Sequence, residues 1–165
     1  MLDVHILNFN PDPKHWEQCI NSVNIAIQNT SYPIKLHITN GNPNFGEARA
    51  EGYSLGTYPY VTFVDNDDYV LPHAFAVLEN ALKENPDAIF TKELQLGLDG
   101  QLKTVIVGRH HLQIYKRTNL IDHVAAGNLC DLKQLRSVEH KFCIDLPDQV
   151  YVWRIKKQPR IERFR

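Results

Sequence analysis

The sequence predicts an α/β domain, a parallel or mixed sheet covered by helices on both faces. Two observations carry this. Segments with strand character alternate with segments of helical period along the 165 residues, the pattern of βαβ units. Three loops rich in Asn and Asp, "NFNPD", "TNGNPN" and "DNDD", follow the first three strands, at the edge where open α/β sheets bind ligands.

Each element has its own signal. "DVHILNF" (3–9) is a strand by its β-branched and aromatic content. Residues 13–29 read as a helix opened by Pro13, with Trp16, Cys19, Ile20, Val23 and Ile27 at helical spacing. "IKLHIT" (34–39) is a second strand, "FGEARAEGYSLG" (45–56) a short helix ended by glycine, and "YVTFV" (60–64) a third strand. Residues 71–85 read as a helix with an early proline. "AIFTKELQL" and "KTVIVG" are strands around a turn at "GLDG". Helices are expected from about Thr118 and about Asn128, then two final strands, "HKFCID" and "QVYVWRI". One domain spans 1–165, with a ligand-binding half at 1–95 and a second half at 96–165 ending in a basic tail.

Composition narrows the function. The net charge of −1 gives no broad basic field for nucleic acid. No segment reaches the roughly 18 apolar residues of a membrane span. The start "MLDVHILNFN" lacks the basic and apolar regions of a signal peptide, so a cytoplasmic protein is expected. Cys19, Cys130 and Cys143 lack paired metal spacing and read as reduced thiols. The exception in charge is the tail, where Arg154, Lys156, Lys157, Arg160, Arg163 and Arg165 gather. It is either a solvated end or a holder of phosphate.

The "DNDD" loop raises the chemical question. Asp65, Asp67 and Asp68 crowd into four residues after an apolar strand. Asn and Asp favour turns, but adjacent carboxylates repel unless something positive lies between them. Hard carboxylate oxygens suit Mg²⁺ or Mn²⁺. An EF-hand is excluded, because "DNDDYVLPHAFA" lacks its glycine and distal glutamate.

Together these residues resemble the GT-A glycosyltransferases of family-2 type. "LNFN" stands where that family has "PTYN", "CINSV" where it has "CLxSL", and "TNGN" where it has "DDGS". "FGEARAEGYSLGTYPYVTFVDNDD" follows the family's "G…ARNxG…GEYI.FLDSDD", with Gly46, Arg49, Gly52, Gly56, Asp65, Asp67 and Asp68 in step. The series covers about 60 residues; the later segments "HLQIYKRTNL" and "LCDLKQL…HKFCIDLPDQVYVWRI" match more loosely.

The resemblance implies a Rossmann-like nucleotide-sugar-binding fold and transfer of a sugar, with inversion, from a nucleotide-diphosphate sugar, UDP-linked by preference, to an acceptor hydroxyl. It implies Mn²⁺ or Mg²⁺ as cofactor, with Asp67 the main ligand, Asp65 facing the metal or the ribose, and Asp68 in support. Asp68 can equally cap the helix expected near Leu71. The donor would contact Asn8, Phe9, Asn10, Asn40, Arg49, Asp65, Asn66, Arg154 and Lys156, with the base near Phe9 and Asn40. Arg49 reads equally as an exposed helix arginine. Asp131 falls on the second acidic residue of the family's "ED" and would be the general base; it reads equally as an N-cap.

The sequence also departs from the family. Asn40 replaces the aspartate that reads uracil, Cys130 the glutamate of "ED", and Lys156 the usual histidine. His110 and His111 read as surface or acceptor-site residues. The acceptor is open among a glycan, a nucleic acid or another phosphate-bearing molecule. No acceptor module is seen, so a small surface, the basic tail, a homo-oligomer or a partner chain would complete that side. Two other readings stand beside this one: a GT-A-like nucleotide-binding module without activity, and a D-x-D phosphatase. In the latter the motif normally follows the first strand rather than the third.

Overall fold

The computed structural model describes residues 1–104, 110–119 and 141–155. Their elements are β1 (Leu2–Asn8), α1 (Pro13–Gln28), β2 (Ile34–Asn40), α2 (Phe45–Tyr53), β3 (Tyr60–Phe63), β4 (Tyr69–Val70), a 3₁₀ turn (Ala76–Leu78) running into α3 (Glu79–Lys83), β5 (Ala88–Leu96), β6 (Leu102–Thr104), β7 (His110–Lys116) and β8 (Cys143–Arg154). The strands form one mixed sheet in the order β2-β1-β3-β7-β5-β8-β4, with β6 on β5. β1 is parallel to β2 and β3, and β5 to β8; β7 is antiparallel to both its neighbours. The mixed α/β architecture expected from the alternation is the one observed. Among the described residues no helix is long and apolar enough to cross a membrane.

Strand parity sorts the core into two layers. Leu2, Val4 and Ile6 of β1 pack with Cys19, Val23 and Ala26 of α1 and with Phe75 and Leu78 beyond β4. Leu7 packs on the opposite face with Val61, Phe63, Tyr115 and Ala48 of α2. Successive side chains alternate faces and both faces of β1 are covered, so six of its seven residues are buried, the polar Asp3 and His5 among them. Burying each large apolar side chain stabilises by about 1.5–3 kcal/mol.

Local chemistry starts the helices where the sequence says. Asp12 caps α1, accepting from Lys14 N at 3.0 Å and His15 N at 3.2 Å, and Pro13 sits where no amide partner is needed. Asn44 caps α2 by accepting from Glu47 N at 3.1 Å.

Three expectations differ in detail. The helix expected over 71–85 is reduced to the 3₁₀ turn and the five residues of α3. Tyr69 and Val70 instead pair with Val152 and Tyr151 of β8, and Leu71 N donates to Val150 O at 2.9 Å. This long-range pairing overrides the helical propensity of the segment. The two final strands are one strand, β8, interrupted in register between Asp145 and Gln149. Pro147 lies in that interval, where its missing N–H costs no ladder bond. The second strand of the hairpin is described only over Leu102–Thr104. Residues 117–119 are helical, at the start expected near Thr118; residues 120–140, with the helix expected from about Asn128, lie outside the described residues.

Candidate functional site

β1, β2 and β3 run parallel, so their three Asn/Asp loops leave from one edge of the sheet. Asn8 is the register partner of Asn40, and Gly41 N donates to Asn8 O at 3.1 Å. A Cβ on Gly41 would lie 2.7 Å from the Cβ of Phe9, so only glycine lets the first two loops meet here. Asn8, Asn10 and Asn40 are exposed and Phe9 is half-buried. Asn10 turns the chain at φ 42°, a conformation asparagine tolerates better than most residues. Asn66 gives its amide to Leu7 O at 3.0 Å and Phe9 O at 3.1 Å, tying the third loop to the first.

The Asp65–Asp68 turn closes through Asp68 N to Asp65 O at 3.1 Å. Arg49 reaches across from α2. Its Nη2 donates to Asp65 Oδ1 at 2.9 Å, and its guanidinium lies 5.1 Å from the centre of the Phe63 ring. The Arg49 side chain is 11% exposed and that of Asp65 27%, so Arg49 is not the exposed helix arginine its position alone allows. Its buried Nε has no hydrogen-bond partner within the described residues.

Asp68 is buried and does not cap a helix. Its carboxylate accepts from the Tyr151 hydroxyl at 2.8 Å and from Arg154 N at 2.9 Å, both on β8. The Tyr151 hydroxyl in turn accepts from Asp65 N at 3.0 Å. Arg154 is bound on several sides: Nε donates to Asp67 O at 3.0 Å, Nη2 donates to Gln18 Oε1 of α1, and the guanidinium lies 5.8 Å from the centre of the Tyr69 ring. Beneath the loop, Cys19 Sγ donates to Asp65 O at 3.4 Å. Burial pushes the Cys19 thiol up, and the negative Asp68, Asp65 and Asp67 push it further. It is therefore a neutral donor at physiological pH, not a thiolate.

Cationic side chains reach this loop at two points: Arg49 on the Asp65 carboxylate from one side, and Arg154 on the Asp67 backbone carbonyl from the other. An open cleft of about 650 Å³ adjoins Arg154, walled by Asn10 and Asp12 of the first loop, His15 of α1 and Leu96–Leu98 of the hairpin. Among the described residues, no three His, Cys, Asp or Glu side chains converge on one point.

Of the residues singled out by sequence, Asn8, Phe9, Asn10, Asn40, Arg49, Asp65, Asn66, Asp67 and Arg154 lie along this loop edge and its contacts. Asp131, Lys156 and Cys130 lie outside the described residues. Sequence reasoning missed Tyr151 and Gln18. Both sit in ordinary apolar-periodic segments, and their partners are 83 and 136 positions away.

The family model described as "Glycosyl transferase family 2" matches residues 20–127. Crystal structures of S. aureus TarS 1–349 share the fold. The complex with UDP-GlcNAc gives a TM-score of 0.69 at 14% identity, covering 99% of this chain and 61% of that one. The complex with UDP gives 0.67 at 15%, covering 93% and 60%. The bifunctional IspDF from Campylobacter jejuni gives 0.61 at 13%, covering 90% and 50%. The chain thus spans about 60% of the length of TarS 1–349. No curated protein matches the sequence. The family match extends from within α1 through the second and third Asn/Asp loops and across β7, well over half of the residues, and the fold agrees with it: the chain belongs to glycosyl transferase family 2.

Proposed function

We propose that the chain acts as a metal-dependent, inverting glycosyltransferase that takes a sugar from a UDP-sugar to an acceptor hydroxyl. The observation that carries this is the Asp65–Asp67 loop. It is braced to β1, α1 and β8 and answered by Arg49 at 2.9 Å, beside the exposed Asn8 and Asn40. UDP and UDP-GlcNAc occupy the TarS structures that share this fold, which supports a uridine nucleotide as the donor.

Asp65 and Asp67 supply hard oxygens for Mn²⁺ or Mg²⁺. Among the described residues no third His, Cys, Asp or Glu joins them, a set that would suit an ion keeping water and phosphate oxygens as its other ligands. When bound, the ion would act as a Lewis acid on the leaving diphosphate. The chain's own residues do the rest. Phe9 and Asn40 offer an edge and a ring for the base, the Asn40 amide both donating and accepting. Arg49 holds Asp65 in place and keeps its charge balanced, and its Nε–H, without a partner among the described residues, is a further donor toward the nucleotide. Arg154 sets the Asp67 backbone. Asp131 is the proposed base for the acceptor hydroxyl, in an in-line displacement with an oxocarbenium-like transition state.

The test is a panel of UDP-sugars with Mn²⁺, reading UDP release and the anomeric configuration of any product by NMR. Metal-dependent release with an inverted product is expected. A retained anomer overturns the mechanism, and UDP binding without release from any sugar favours a nucleotide-binding module.

A further inference from the structure

We propose that Tyr151 is a positioning residue for this site: its hydroxyl fixes the Asp65–Asp68 loop in the conformation that presents Asp65 and Asp67 to cation and diphosphate. The inference rests on the functional reading above and adds to it a residue on a different strand.

Tyr151 is fully buried in the main core. Phenylalanine would supply the same apolar contacts, so the hydroxyl needs its own reason, because a buried phenol must find partners. Two hydrogen-bond partners of that hydroxyl belong to one four-residue loop. It accepts from Asp65 N at 3.0 Å and donates to Asp68 Oδ2 at 2.8 Å. One oxygen thus spans the first and last residues of the turn. The strand beneath is held in register by Val70 opposite Tyr151 and Glu93 on the other side. The neighbouring Arg154 N fixes the second Asp68 oxygen at 2.9 Å. Asp68 therefore spends both oxygens inward on β8, and the loop's orientation is inherited from a rigid strand. Groups that orient ligating carboxylates matter nearly as much as the ligands themselves.

Tyr60 provides the control. It is also buried in the same core, at the far end of β3, and its hydroxyl donates to Pro86 O at 2.7 Å and Asn85 Oδ1 at 3.2 Å. Tyr60→Phe removes a comparable hydroxyl away from the loop.

The experiment compares UDP binding by calorimetry, in Mn²⁺ and in EDTA, for the unaltered chain, Tyr151→Phe and Tyr60→Phe, with a melting curve for each. Tyr151→Phe is expected to lower UDP affinity in Mn²⁺ by about tenfold or more and to leave affinity in EDTA unchanged. Tyr60→Phe should melt earlier by a similar amount yet bind like the unaltered chain. Equal Mn²⁺-dependent affinity in both variants overturns the positioning role. An unaltered chain that binds UDP no better with Mn²⁺ overturns the functional reading, and this inference with it. Amide hydrogen exchange on the unaltered chain gives a readout independent of variant folding. Asp65 N–H should exchange at least about 100-fold more slowly than the exposed hairpin tip at Leu98; exchange at the same rate shows that the hydroxyl does not hold the loop.

Discussion

The α2 face of the sheet carries an aspartate–arginine pair at each end, and the two pairs are built differently. At the start of β1, Asp3 has 0% side-chain exposure and both oxygens in use: Oδ1 lies 2.7 Å from His37 Nε2, and Oδ2 accepts from Tyr58 N at 2.9 Å and from Arg117. A Cβ on Gly56, at φ 82°, would meet Asp3 Oδ2 at 2.5 Å, so the chain closes tightly over that pair. Past the end of β3, Asp65 is 27% exposed, with Arg49 on Oδ1 and Asp67 two residues on. The closed pair fastens the loop before β3 to β1 and to Arg117 past β7. The open pair keeps a carboxylate at the solvent edge beside two Asn-rich loops. The same residue types thus hold the fold at one end and, in the function proposed above, face ligand at the other, and exposure tells them apart.

Removing the closed carboxylate should give the largest effect. Asp3→Asn leaves Arg117 without its buried counter-charge, so unfolding in urea should show a loss of about 3–5 kcal/mol, with UDP affinity of the folded fraction unchanged. A loss under about 1 kcal/mol would mean that the pair is no more than a surface ion pair.

The closed end also predicts a pH dependence. His5 stacks on His37 with ring centres 4.8 Å apart, and burial, then the nearby His37 charge, lower its pKa to about 4. Burial alone would raise the Asp3 carboxyl, but hydrogen bonds from His37 and Tyr58 N and the Arg117 charge hold it below its ordinary value. Both depressed groups bind protons more readily in the unfolded chain. Stability is therefore full above about pH 6.5 and falls as pH drops toward 4 through His5, by up to about 3 kcal/mol; Asp3 extends the loss below that. Urea midpoints at pH 7.5 and 5 measure it, and His5→Phe should flatten most of the slope.

At the open end the effects move from stability to binding. Asp67→Asn should weaken UDP binding in Mn²⁺ by about tenfold or more while shifting unfolding by under about 0.5 kcal/mol, as expected of a loop residue outside the core. A matching loss in EDTA would tie Asp67 to the nucleotide directly rather than through a cation. The smallest effect belongs to Lys83, whose exposed pair with Glu79 spans 3.8 Å. Lys83→Ala should change stability by no more than about 0.5 kcal/mol, which sets the floor for reading the others.

Much of the open end was legible in the sequence. Alternating periods placed β1, α1, β2, α2 and β3 to within a few residues, and parallel strands put their loops on one edge without further information. Local signals sufficed there: Pro13 at the start of α1 and the glycine after α2. What failed to show depended on contacts far along the chain. The segment after Asp68 looks helical until β8 pairs with it, and the same pairing turns Asp68 from a candidate cap into the partner of Tyr151. "DLPDQ" looks like a break between strands because Pro147 and two carboxylates favour turns, yet β8 continues through it with a slipped register. The closed pair was invisible for a similar reason. Asp3, His37 and Arg117 meet only after three strands are aligned.

The central claim is that the open carboxylates hold a cation for a nucleotide diphosphate, and calorimetry with UDP tests it most directly. Asp65 and Asp67 repel the diphosphate on their own and attract it once an ion lies between them. Titration in Mn²⁺ should therefore give at least about tenfold tighter binding than titration in EDTA; equal affinity in the two would contradict the account.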